Sequence, residues 1–154
     1  MKWMVDYERL DSDQSNFIEK EIFKNGNIWV RGFAGSGKSI MLVYGALKKL
    51  KESNNPSVCF VVFTNSLVEL FKTGLREIGI ENKVHITTYH RFLRDNETYD
   101  YIFCDEVQDL PASVLQKMRN RCNQLYVAGD SNQSIYDKAP GLNENVIDPQ
   151  KIGE

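Results

Sequence analysis

Residues 32–39 read Gly-Phe-Ala-Gly-Ser-Gly-Lys-Ser, a glycine followed after four positions by Gly37-Lys38-Ser39. That spacing describes a loop whose backbone N–H groups form a concave nest for phosphate oxygens. Gly32, Gly35 and Gly37, with Ser36 between the last two, allow the backbone to approach an anion closely. Lys38 would set a point charge against the outer phosphates, and the Ser39 hydroxyl is a hard oxygen donor suited to Mg²⁺. A second constellation follows the apolar run Tyr101-Ile102-Phe103-Cys104, which ends in Asp105-Glu106. An Asp at a strand tip suits Mg²⁺, and a neighbouring Glu can orient and deprotonate an attacking water. An acid pair after a strand is also what a solvated strand end looks like. Behind a complete phosphate loop it reads as the second half of a site for phosphoanhydride hydrolysis.

The elements that must position these groups are legible in the apolar pattern. Residues 27–31 form a short strand before the loop and 40–50 a helix after it, whose N-terminal dipole favours an anion. Residues 13–24 carry Phe17, Ile18, Ile22 and Phe23 at helical spacing, with Asp11, Ser12 or Asp13 available as N-cap. Asn54-Asn55-Pro56 breaks the chain, and 58–63 is a continuous apolar run of the kind buried on both faces of a parallel sheet. Helical spacing returns over 67–78 and 112–121, and 83–87, 99–104 and 124–128 read as further strands. The alternation predicts an α/β fold, three layers around a mainly parallel central sheet. Such sheets bind ligands beyond the carboxyl ends of their strands, where the loop, Asp105 and Asp130 all fall. After Asp130, Pro140-Gly141, Asn143, Asn145 and Pro149 leave little room for another element. The expected organisation is one domain over 1–138, with 139–154 an irregular tail or the start of a second domain.

The net charge of −2 in 154 residues excludes a global basic field and leaves only a local patch for any polyanion. Cys59, Cys104 and Cys122 lack metal-ligand spacing; Cys59 and Cys104 sit in apolar runs, so buried thiols and a reducing compartment follow. No stretch approaches the ~20 apolar residues of a membrane span. These features predict a cytoplasmic protein with no membrane partner.

Several further segments occur in a family's order. Asp105-Glu106-Val107-Gln108-Asp109 resembles the D-E-x-Q-D signature of superfamily 1 helicases of the UvrD/Rep type. Gly129-Asp130-Ser131-Asn132-Gln133-Ser134-Ile135-Tyr136 resembles that family's G-D-x-x-Q-S-I-Y motif, and Leu10-Asp11-Ser12-Asp13-Gln14 its amino-terminal L-[ND]-x-x-Q segment. Val62-Phe63-Thr64-Asn65 resembles F-T-N, and Thr87-Thr88-Tyr89-His90 resembles T-[FY]-H. The resemblance covers residues 10 to 136 and implies a RecA-like ATP-binding domain of the P-loop NTPase class. It implies that Gln14 recognises adenine, that Lys38 and Ser39 hold the outer phosphates and Mg²⁺, and that Asp105 completes the Mg²⁺ shell. Glu106 would be the general base, Gln133 would contact the γ-phosphate or attacking water, and Asp130 would join the nucleotide-binding set. Gln108 and Asp109 would link that site to the nucleic-acid groove. Phe63, Asn65, Tyr89 and His90 would lie near single-stranded DNA or RNA, where an aromatic face can stack on a base. Core packing explains Phe63 about as well, and His90 could simply satisfy a backbone carbonyl. Lys72, Arg76, Lys83, Arg91 and Arg94 read either as a phosphate-tracking patch or as solvated helix faces.

The chain departs from the family in three places. It ends before the second RecA-like domain that carries arginine fingers, so these would arrive in cis from a longer protein or in trans. Only 91–98 separates the T-[FY]-H and D-E-x-Q-D segments, where relatives carry a helical insertion. Lys138 stands where an aromatic is usual. The reading is therefore an ATP- and Mg²⁺-dependent helicase-type ATPase domain, weak or inactive by itself. The competing reading is a stand-alone nucleotide-binding regulatory module that makes no use of nucleic acid.

Overall fold

The apolar run that begins at residue 58 forms the strand β2 (Val58–Val62), and its five residues are all buried because they alternate between two cores. Val58, Phe60 and Val62 face one cluster, and Cys59 and Val61 face the other. A strand sandwiched in this way has no solvent side to mark with polar residues. In the computed structural model, residues 3–31, 37–52, 54–107, 110–129 and 145–147 are described.

Around β2 the chain lays down β1 (Ile28–Val30), β3 (His85–Thr88), β4 (Tyr99–Cys104), β5 (Cys122–Ala128) and β6 (Asn145–Ile147). The sheet order is β3-β2-β4-β5-β1-β6, and every pairing is parallel. The helices are α1 (Ser12–Glu19), α2 (Gly37–Glu52), α3 (Asn65–Glu77), α4 (Tyr89–Arg94) and α5 (Ala112–Asn120). Phe17 and Ile18 of α1, the apolar residues of α2, and Phe71 and Leu75 of α3 bury one face of the sheet. Phe92 of α4 and Val114, Leu115 and Met118 of α5 bury the other. The result is the three-layer α/β arrangement expected of a RecA-like domain.

Register ties the central strands through their side chains. Phe60 pairs with Phe103, and Phe103 with Tyr126, so three rings stack across β2, β4 and β5 at 5.0 and 4.6 Å. The Tyr126 hydroxyl donates to the Ile22 carbonyl at 2.9 Å, fastening the segment after α1 to the sheet. Gly45 lets α2 approach that segment, since a Cβ there would sit 2.9 Å from Ile22 Cδ1. On the far face, burial pushes the Cys59 thiol up to about 12, which keeps it protonated and inert.

Three features differ from the sequence expectation. The helix over 13–24 ends at Glu19; Lys20 leaves helical geometry, and a 3₁₀ turn over Glu21–Phe23 directs Ile22 into the core. The stretch 89–94, assigned no element, is α4, started by the Thr88 side chain accepting from the Arg91 N–H at 3.4 Å. The tail 139–154, expected to be irregular, contributes β6, whose Asn145, Val146 and Ile147 pair with Ile28, Trp29 and Val30. An unpaired outer edge on β1 would leave backbone donors and acceptors open, and three residues suffice to close it. The surrounding turn-forming residues hide so short a strand from pattern reading.

Candidate functional site

The site starts from two element ends. Helix α2 begins at Gly37, so Lys38 and Ser39 occupy its first turn, with Lys38 only 8% exposed. Strand β4 ends at Cys104, which sets Asp105 at its tip, also 8% exposed. Because β4 and α2 are packed at one edge, residues 66 positions apart meet: Ser39 Oγ donates to Asp105 Oδ2 at 2.6 Å. Asp105 Oδ1 accepts the Glu106 N–H at 2.9 Å. Burial pushes the Asp105 carboxyl above the ordinary range. The Ser39 hydroxyl, the Glu106 N–H and the Lys38 charge pull it back, while the Glu106 charge adds to the rise.

Glu106 has φ 54°, in the left-handed region that costs a non-glycine residue about 1–2 kcal/mol. Held strain of this kind clusters at functional sites. The hydroxyl of Ser39 and the carboxylate of Asp105 are hard oxygen donors brought to one point beside a buried ammonium group, a donor set that fits Mg²⁺ with a phosphate.

Strands β1 and β5 bring the rest of the edge together. Val30 and Ala128 are register partners, the Gly129 N–H donates to the Val30 carbonyl at 3.1 Å, and Trp29 Nε1 donates to the Gly129 carbonyl at 2.9 Å. The chain entering the phosphate loop and the chain leading to Asp130 are thus neighbours. Gly32, Gly35, Ser36, Gln108, Asp109, Asp130 and Gln133 lie outside the described residues. Gln14 is the third residue of α1 and closes a capping box, its N–H donating to Asp11 Oδ1 at 2.8 Å and its Oε1 accepting from the Asp11 N–H at 3.1 Å.

A second region lies past the carboxyl ends of β2 and β3, on the other side of β4 from β5 and β1. Phe63, Thr64, Asn65, Thr88, His90, Arg91 and Arg94 line an open groove of about 560 Å³. Phe63 stands just beyond β2 and is 39% exposed, so it does not belong to the core. The Tyr89 ring lies 5.3 Å from that of Phe63 and 4.0 Å from that of His90. Thr64 and Thr88 cap α3 and α4, and these caps fix how the two helices leave the strands. Sequence reading did not separate Arg91 and Arg94 from the other cations; the Thr88 cap, three residues before Arg91, was the signal available.

The sequence profile of the viral superfamily 1 RNA helicase core domain matches residues 28–147. The chain belongs to this helicase family. No curated protein is significantly similar to this helicase core in sequence. Among solved structures, the UvsW helicase from bacteriophage T4 matches with a TM-score of 0.73 at 11% identity, over 97% of this chain and 64% of that one. The large terminase from the thermophilic bacteriophage D6E matches at 0.66 and 12% identity, over 90% of this chain and 45% of that one. The Sulfolobus solfataricus SWI2/SNF2 ATPase core, solved with dsDNA, matches at 0.63 and 16% identity, over 84% of this chain and 34% of that one. At these identities the likeness is one of fold. The helicase core described here spans about a third to two thirds of the length of those chains.

Proposed function

We propose that this chain is the first RecA-like domain, residues 1–138 with strand β6 added to its sheet, of a UvrD/Rep-type superfamily 1 helicase, hydrolysing ATP in response to single-stranded DNA or RNA. The observation that carries this reading is the 2.6 Å contact between Ser39 and Asp105 beside the buried Lys38. Lys38 binds the outer phosphates, and the N-terminus of α2 adds its dipole to the same anion. Ser39 and Asp105 hold Mg²⁺, which when bound neutralises charge on the phosphates. Glu106 orients a water for in-line attack and takes its proton at the carboxylate. Gln133 and Asp130 act at the γ-phosphate side, and Gln14 exchanges its cap contact for the adenine edge.

Phe63, Asn65, Tyr89 and His90 face the nucleic acid. Arginine fingers come from a second RecA-like domain, in cis or in trans, and their absence would cost about 10³–10⁵ in rate. Among the described residues no helix is long and apolar enough to cross a membrane.

The test is steady-state ATP hydrolysis with Mg²⁺, with and without single-stranded oligonucleotides. A slow basal rate that single strands raise, and that Glu106→Gln removes, is the expected result. Hydrolysis indifferent to any single strand would return the chain to the stand-alone nucleotide module.

A further inference from the structure

The five cations that sequence reading left as one undivided patch are sorted by the fold. Arg76 is spent locally, its Nε and Nη2 on the two Glu81 carboxylate oxygens at 2.8 and 3.1 Å. Lys83 lines a different cleft with Asn82, His85 and Tyr99, at the opposite end of β3. Lys72 lies on α3 outside the residues that line the groove. Arg91 and Arg94 are both exposed and both line the groove with Phe63, Asn65 and His90. They stand three apart on α4, one turn of the same helix face, and no ion pair of the described residues uses either. The Arg91 N–H, donating to the Thr88 side-chain hydroxyl, fixes the start of that helix against the end of β3. The middle ring of the groove is also fixed: Tyr89, half-buried, has Phe63 on one side and His90 on the other.

We infer that Arg91 and Arg94 are the phosphate-binding half of this groove, holding two phosphodiesters of a single strand, and that Tyr89 positions Phe63 and His90. The inference rests on the nucleic-acid part of the proposed function and assigns its electrostatic component to two residues. A guanidinium pair on one helix face suits a flexible backbone that can bring successive phosphates to it, because Arg offers a planar fork to each anion. The ligand chemistry is the phosphodiester, which dT and rU strands share, so both are tested.

The experiment is fluorescence anisotropy of labelled dT₁₂ and rU₁₂ across a salt series, on the full chain with a non-hydrolysable ATP analogue. Arg91→Ala/Arg94→Ala is expected to weaken binding roughly tenfold or more at low salt. It should also reduce the slope of log K against log salt by about 1.4, two phosphates at about 0.7 each for single strands. Arg91→Lys/Arg94→Lys should restore most of that slope, which a purely structural role would not predict. Lys83→Ala should leave both quantities unchanged. Tyr89→Leu should weaken binding with the slope intact. An unchanged slope in the double Ala variant, with Phe63→Ala still weakening binding, overturns the arginine assignment and leaves the groove standing. Absence of oligonucleotide binding by the unaltered chain, with analogue binding intact, overturns this inference together with the nucleic-acid reading. Rank order of dT₁₂ and rU₁₂ then tells which strand the groove prefers.

Discussion

The nucleotide edge and the groove both lie past the carboxyl ends of parallel strands, yet they are built on opposite terms. At the nucleotide edge Lys38 and Asp105 are each 8% exposed, and Ser39 and Asp105 are already in contact. In the groove Phe63 is 39% exposed and His90, Arg91 and Arg94 are open to solvent, with the half-buried Tyr89 ring set between Phe63 and His90. A phosphate and a divalent ion are small and highly charged, so their site gains from fixed dipoles and excluded water. A polymer must enter and leave, and its site gains from open rings and long cations. On the proposed function, burial follows the size and mobility of each ligand, even where the same sheet edge supplies both sites.

The largest test of this contrast is Glu106→Gln, which should keep ATP affinity while lowering turnover about 10²–10⁴-fold, since the amide cannot accept the proton. Single-turnover hydrolysis checks it; a wild-type rate would place the base elsewhere. Lys38→Ala should weaken ATP binding by calorimetry about 10–100-fold, through a lost charge-assisted contact, and leave oligonucleotide binding unaltered. Phe63→Ala should do the reverse, weakening single-strand binding by about 1–3 kcal/mol with ATP affinity unchanged. If either variant moved both affinities equally, the two regions would be one coupled site and the contrast would dissolve.

The smallest effect is on stability. Burial raises the Asp105 carboxyl in the folded chain, so the native state holds this proton more tightly than the unfolded state. The contribution to stability is then greatest below the unfolded carboxylate value and is lost as pH rises through the folded one. At neutral pH the charged form is a net burden, and Asp105→Asn, which keeps an oxygen for Ser39, should raise Tm. The same variant should lose Mg²⁺-dependent ATP binding, and the excess stability should shrink as pH is lowered towards the unfolded carboxylate range. A lower Tm across that range would mean that the Ser39 and Lys38 contacts outweigh burial.

The parts of this protein legible in sequence are those set by local pattern. The helix over 40–50, the apolar run ending before Asp105 and the two-sided burial of residues 58–62 all follow from short-range rules, because helical periodicity and strand alternation each need particular residues at particular offsets. Strand β4 came out at its full bounds, Tyr99–Cys104, for the same reason. Local pattern did not reveal β6, since three residues become a strand only when β1 offers an open edge. Nor did it separate Arg91 and Arg94 from Arg76 and Lys83, because exposure, pairing with Glu81 and facing a groove depend on how helices pack, not on charge along the chain. The left-handed turn at Glu106 and the contact of Ser39 with Asp105 belong to the same class. The sequence determined which chemistry the chain carries; tertiary structure decided which groups meet, because residues 66 positions apart come within hydrogen-bonding distance only when the sheet order brings their element ends to one edge.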